Sequence, residues 1–267
     1  MTDSKSLKLN SILKELNSFA VAFSGGVDSS FLLHRAFTVR KSGIIAITIR
    51  TPYIPSIEIN EAIEFTRTYG IMHKILDITF PDMITTNPIE RCYLCKKTLF
   101  TELLTFARKN DYESVIDGTN ADDKVDLRPG MKALKEMGIR SPLLESELTK
   151  KDIRKLSRSE GLDIWDKPAM ACLLTRIPYD TEVKEEVLRM IEQAENMLFE
   201  KGYPGIRVRM HGDVARIECL PGFMEKIIHN PDREHIISNL KKIGFRYVSL
   251  DLEGYRTGSS NPEMKDL

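Results

Sequence analysis

The chain has 267 residues, more than one minimal core needs and about the size at which chains divide, so two packed units are expected. Lys plus Arg and Asp plus Glu both number 39, which leaves no global field to draw nucleic acid or an anionic membrane, although a local basic cluster stays open. Four cysteines, unevenly placed, are too few for a disulfide framework and read as reduced thiols, ligands or core.

The N-terminal stretch MTDSKSLKLNSILKELNSFA interleaves Leu and Ile with Lys and Glu at helical spacing, unlike a signal peptide. No run approaches the roughly 18 apolar residues of a membrane helix. A soluble, cytoplasmic protein without a membrane partner is expected. Next come FAVAF, a helix from Ser29 to Lys41, IIAITI, a helix from Ile57 to Tyr69, HKILDI, a helix from Leu94 to Lys109, and SVIDG. Strand and helix alternating in this way predict an α/β fold, a parallel sheet covered on both faces with right-handed crossovers. Such sheets bind ligands at the carboxyl ends of their strands, where SGGVDS, RTPYIP and DGTNADD all fall. Thr149 and Asp152 have capping-box spacing. The proline-punctuated WDKPAMACLLTRIPYD then marks a junction. Residues 1–165 are read as the first domain, 166–181 as a linker carrying Cys172, and 182–267 as a smaller α+β domain. In that domain a helix spans Glu182 to Lys201, IRVRM and VARIECL form a hairpin around His211, Gly212 and Asp213, a helix spans Asp232 to Lys242, and RYVSLDL is a last strand. The tail after Gly258 is expected to be loose.

SGGVDS carries the first chemistry. Gly25 and Gly26 let the backbone turn with positive φ and approach a ligand without a Cβ in the way. Ser29 and Ser30 open the next helix, whose N–H groups and dipole suit a phosphate, and Ser24 adds a hydroxyl. No GK[ST] follows, so this is not a Walker loop, and no third glycine stands at dinucleotide spacing. The hexapeptide resembles the PP-loop of the ATP pyrophosphatase superfamily, whose fold is adenine nucleotide alpha hydrolase-like. That resemblance implies that Ser24, Gly25, Gly26, Asp28, Ser29 and Ser30 hold the pyrophosphate part of ATP and that a substrate oxygen is adenylated. Gly118, Thr119 and Asn120 of DGTN join the nucleotide-binding set. Mg²⁺ would bridge the phosphates, with Asp28 or the acidic Asp122, Asp123 and Asp126 as ligands; a solvated loop explains the last three equally well.

RCYLCK gives Cys92 and Cys95 in C-x-x-C spacing, and PAMACLLTR gives Cys172. Alone, C-x-x-C is redox-active, a metal half-site or chance. Three thiolates leave a corner free that a closed zinc site would not. A cluster normally held by four Cys would, on three, expose one iron to exogenous sulfide. Cys219 alternates with Ala215 and Ile217 on what reads as a core face.

Together AFSGGVDSSFLL, EAIEFTRTYGIMH, RCYLCK, DGTNADDKVDLRPGMKAL, SPLLESELTKKDIRKL, WDKPAMACLLTRIPY, RVRMHGDVARIE and LDLEGYRTGS resemble the LarE family, ATP-dependent sulfur transferases of nickel-pincer nucleotide biosynthesis, over nearly the whole chain. The resemblance implies adenylation of a carboxylate of pyridinium-3,5-biscarboxylic acid mononucleotide and replacement of its oxygen by sulfur. In one branch of the family a single cysteine, matching Cys172, surrenders its own sulfur. In the other, three cysteines bind a [4Fe–4S] cluster, which the presence of Cys92 and Cys95 resembles; that resemblance implies Cys92, Cys95 and Cys172 as ligands, Cys172 and Asp28 as catalytic residues, and sulfide from an external donor, with the single-cysteine donor as the alternative. Arg207 and Arg209 share a strand face that residue pattern alone would leave exposed. By the same resemblance they, with Arg176 and Glu195, are candidates for the substrate phosphate, and a homo-oligomer is implied. A tRNA-thiolating enzyme would share the ATP site and the three cysteines but would need a basic surface. A non-catalytic ATP sensor would leave the cysteines without a purpose.

Overall fold

The computed structural model describes residues 2–124, 129–168, 170–229, 231 and 233–256. It divides into two compact units, residues 1–84 with 90–170, and residues 85–89 with 171–267. No described helix is long and apolar enough to cross a membrane.

The first unit is α/β. After helix α1 (Thr2–Glu15) come β1 (Phe19–Ala22), α2 (Val27–Arg40), β2 (Ile44–Arg50), α3 (Ser56–Tyr69), β3 (His73–Asp77), α4 (Arg91–Lys109) and β4 (Ser114–Ile116). Three further helices follow, α5 (Pro129–Glu136), α6 (Pro142–Glu145) and α7 (Lys150–Ser159). All strand pairs are parallel, in the order β3-β2-β1-β4. The β-branched runs suit a sheet covered on both sides. Phe19 and Val21 enter one core with Phe31 and Leu32 of α2, while Ala20, Ile45 and Ile47 enter another with Phe100 and Leu103 of α4. This order puts the topological switch between β1 and β4, because the chain winds outward from β1 to β3 and then returns to the other side of β1. The loops after β1 and β4, SGGVDS and DGTN, therefore flank the crevice.

Two helices begin earlier than their apolar periodicity suggests. Helix α2 starts at Val27, which puts Asp28 in its first turn, and α4 starts at Arg91, which puts Cys92 in its first turn and Cys95 at the start of the next.

The second unit is α+β. Helix α8 (Glu185–Glu200) is followed by the antiparallel pair β5 (Arg207–His211) and β6 (Val214–Glu218). Short α9 (Met224–Ile228), α10 (Arg233–Ile243) and β7 (Tyr247–Leu250) complete it, with β7 parallel to β6. Residues 85–89 join this unit through Asn87, whose buried amide donates to the carbonyls of Leu174, Ile177 and Pro178 at 2.9–3.2 Å.

Candidate functional site

Phe23, directly after β1, is held by Thr48, whose hydroxyl donates to its carbonyl at 2.7 Å. The chain then turns at Gly25, with φ +72°, into α2. The two serines close the loop on itself: Ser24 N–H donates to Ser29 Oγ at 3.3 Å, and Ser29 Oγ donates to the Gly26 carbonyl at 3.2 Å. Gly26 caps α2 without a side-chain hydrogen bond, so the first-turn N–H groups keep the anion-binding character of an uncapped helix start. Ser30 Oγ is buried with no hydrogen-bond partner among the described residues. The loop after β4 meets this turn through Gly118, where a Cβ would stand 2.9 Å from Ser29 N, so only glycine lets the two loops touch. Thr119 and Ser141 both donate to the buried carboxylate of Asp117, which fixes DGTN at the strand end.

Asp28 is the electrostatic centre. Its Oδ2 takes the Lys150 ammonium at 2.6 Å and the Asn120 amide at 3.3 Å, while Oδ1 is buried with no partner among the described residues. Burial raises its pKa above the ordinary aspartate value and the negative charge of Asp123 adds to this, while Lys150 and Asn120 act in the opposite sense. A buried carboxylate oxygen with no partner, next to a second carboxylate, is the donor chemistry that a hard cation uses. Asp123 also accepts from the Asn120 N–H at 3.0 Å, and Asp122 from the Lys150 N–H at 2.8 Å. Asp126 lies outside the described residues. Among the described residues no group of three His, Cys, Asp or Glu side chains converges on one point.

Lys150 was not foreseen from sequence. It stands in the first turn of α7, the end of a helix whose dipole repels a cation, and that misplacement is the signal that could have revealed it.

Cys92, exposed, and Cys95, half-buried, stand one turn apart on one face of α4. The Tyr53 hydroxyl, from the loop after β2, lies 3.3 Å from Cys95 Sγ. Cys172, half-buried, belongs to the second unit and precedes a 3-10 turn at Leu173–Arg176. Arg176 donates to its carbonyl at 3.3 Å, and the guanidinium is close enough for the Cys172 charge to act on it. Cys219 is 1% exposed, in the core as its alternation suggests, and burial raises its pKa.

The arginine face of β5 is buried, not exposed as the residue pattern alone suggests. Arg176, 2% exposed, grips Glu195 with two bonds of 2.9 and 3.0 Å, and Glu195 also accepts the Val208 N–H at 2.9 Å. Burial works against the Arg176 charge, but Glu195 outweighs it and holds the pKa above the ordinary arginine value. Arg209 pairs with Glu218 and donates to the Thr175 carbonyl at 2.5 Å. Arg207 stacks 5.2 Å over the Tyr255 ring; burial, then the neighbouring Arg176, lowers its pKa.

No protein-family model matches the chain. It is similar along almost its whole length to three proteins. It is 38% identical over 264 residues to the uncharacterized protein slr1717 of Synechocystis, covering 98% of both chains. It is 37% identical over 256 residues to the uncharacterized protein MJ0830 of Methanocaldococcus jannaschii, covering 95% of this chain and 98% of that one. It is 34% identical over 260 residues to the pyridinium-3,5-bisthiocarboxylic acid mononucleotide synthase of Lactiplantibacillus plantarum, covering 96% of this chain and 94% of the synthase. An identity of that order over both chains shows that the chain belongs to the LarE family, that of the L. plantarum synthase.

Proposed function

We propose that this protein is an ATP-dependent sulfur transferase acting on pyridinium-3,5-biscarboxylic acid mononucleotide, a reading supported by the name of the L. plantarum relative. The observation that carries it is the half-buried Asp28 carboxylate, whose buried Oδ1 has no partner among the described residues, at the head of an uncapped helix on the switch point of a parallel sheet. In this reading Ser24, Gly25, Gly26, Ser29 and Ser30, with Gly118, Thr119 and Asn120, cradle ATP, and Asp28 with Asp123 receives Mg²⁺. A substrate carboxylate oxygen attacks the α-phosphorus and pyrophosphate leaves, its growing charge met by the loop amides. A sulfur nucleophile then attacks the acyl carbon, and AMP departs with the original oxygen. Arg207 and Arg209 receive the phosphate of the mononucleotide, and the Arg176–Glu195 pair sets the strand beside them.

Cys92, Cys95 and Cys172 are the thiolates that would hold a [4Fe–4S] cluster. Bound by three cysteines, such a cluster supplies one iron open to external sulfide. The same three residues distinguish this reading from one in which Cys172 loses its own sulfur.

The test is iron and acid-labile sulfide per chain after oxygen-free reconstitution, followed by the intact mass after one round with ATP and substrate. About four irons and an unchanged mass support the cluster reading. No iron, with a loss of one H₂S at Cys172, refutes it in favour of the sacrificial cysteine. In Cys92→Ala the iron is expected to fall far below wild type while ATP binding persists; iron at the wild-type level would remove Cys92 from the ligand set.

A further inference from the structure

Lys167 lies outside every residue set assigned above. Its side chain is 14% exposed, and its ammonium donates to the Gly25 carbonyl at 2.7 Å and pairs with Glu61 of α3. The segment carrying it is fixed to α7. Arg154 donates to the carbonyls of Trp165 and Lys167 at 2.6 and 2.8 Å, and the Arg158 guanidinium stacks 4.8 Å from the Trp165 ring. Gly25 is confined from the other side, since a Cβ there would meet Ala62 and the Glu58 carbonyl of α3 at 3.2 Å.

What makes this contact informative is the atom it chooses. The Gly25 carbonyl and the Gly26 N–H are two ends of one planar trans peptide and point in opposite directions. An ammonium on the oxygen therefore sets where the N–H points. It also draws electron density through the peptide, which makes that N–H a stronger donor. The Gly26 N–H reaches Ser24 Oγ at 3.4 Å, beyond the usual range for a good hydrogen bond, so most of its donor strength is left for a ligand. Rotation of the same peptide would instead turn a carbonyl oxygen toward the anion, and glycines on both sides of it make rotation easy.

We propose that Lys167 is a positioning residue of the anion loop: it aims and polarises the Gly25–Gly26 peptide so that the Gly26 N–H faces the pyrophosphate. The inference rests on the reading of SGGVDS as a pyrophosphate cradle.

Calorimetric titration of the full chain with Mg²⁺-pyrophosphate, Mg²⁺-ATP and AMP separates the two ideas. In Lys167→Met, pyrophosphate and ATP should bind about 10-fold more weakly or worse, whereas AMP, lacking the β and γ phosphates, should change by less than about twofold. Lys167→Arg should recover most of the loss, since a guanidinium can also donate to the carbonyl. Equal losses for AMP and pyrophosphate, or no loss at all, overturn the inference. A wild-type chain that takes up neither ATP nor pyrophosphate overturns the cradle reading itself, and the inference with it. Should Lys167→Met fail to fold, Glu61→Gln removes the carboxylate that steadies the ammonium, and the same split between pyrophosphate and AMP decides.

Discussion

Asp28 in the first unit and Glu195 in the second are both half-buried carboxylates facing a cation, and they differ in what remains unsatisfied. Both oxygens of Glu195 are engaged, one by Arg176 and the Val208 N–H, the other by Arg176. Asp28 uses one oxygen on Lys150 and Asn120 and leaves the other buried without a partner among the described residues. A satisfied pair is architecture; an unsatisfied buried oxygen is tolerated where a ligand will meet it. The cations differ in kind as well. Arg176 presents a rigid fork to Glu195 and two carbonyls, whereas Lys150 is a single ammonium on a flexible stem that can leave Asp28 when a metal arrives.

The comparison breaks most visibly at Asp28. Asp28→Asn should lower pyrophosphate release about a thousandfold, with the thermal midpoint nearly unchanged because the burial penalty on the charge disappears together with its pairing. Normal turnover in that variant would remove Asp28 from the site. Glu195→Ala should do the converse. It strands a buried guanidinium, so about 3–5 kcal/mol of stability is lost, while ATP titrates as in wild type. Adding Arg176→Met should recover much of that stability, since removing both charges is far less costly than removing one. If Glu195→Ala unfolds no earlier than wild type, the pair is not the architectural element described.

Gly118→Ala tests the contact between the loops rather than a charge. A Cβ 2.9 Å from Ser29 N forces the head of α2 to move, so about 1–3 kcal/mol of stability should go, with ATP affinity falling in parallel. Unchanged melting and ATP binding would show that the loops can part without cost.

Much of the first unit is legible in the sequence because strands buried on both faces and amphipathic helices alternate with short turns, and the sheet follows from that pattern. Helix starts are less legible. Arg91, Cys92 and Tyr93 carry no apolar period and Glu90 makes no side-chain cap, so nothing local announces that α4 begins before Leu94. The partners of the loop are hidden for a different reason. Lys150 and Lys167 reach Asp28 and Gly25 across 122 and 142 residues, and no spacing rule spans such distances. Period-2 alternation shows that Arg207 and Arg209 share a face but not that this face is covered, because burial of a sheet face depends on what packs on it.

The smallest effect belongs to a carboxylate that caps a helix and takes one ion pair from α1. Thr149 and Asp152 form the expected capping box at the start of α7: the Thr149 side chain accepts from the Asp152 N–H, and Asp152 accepts from the Thr149 N–H at 3.2 Å and from Lys5 at 3.0 Å. Burial alone would raise the pKa of Asp152, but the hydrogen bonds from Lys5 and Thr149 outweigh it and bring it down to about 2. A depressed carboxylate stabilises the fold above its ordinary pKa, and that contribution is lost as pH falls from about 3.8 toward 2. Asp152→Ala should therefore cost about 1 kcal/mol near neutral pH, and the gap in thermal midpoint from wild type should close as the pH is lowered through that window. A gap that stays constant down to pH 2 would mean that Asp152 acts by packing and not by its charge. Because α7 also carries Lys150, the same variant should weaken ATP binding only slightly; a loss as large as that expected for Lys167→Met would mean that the cap, and not the cation at its end, holds the loop in place.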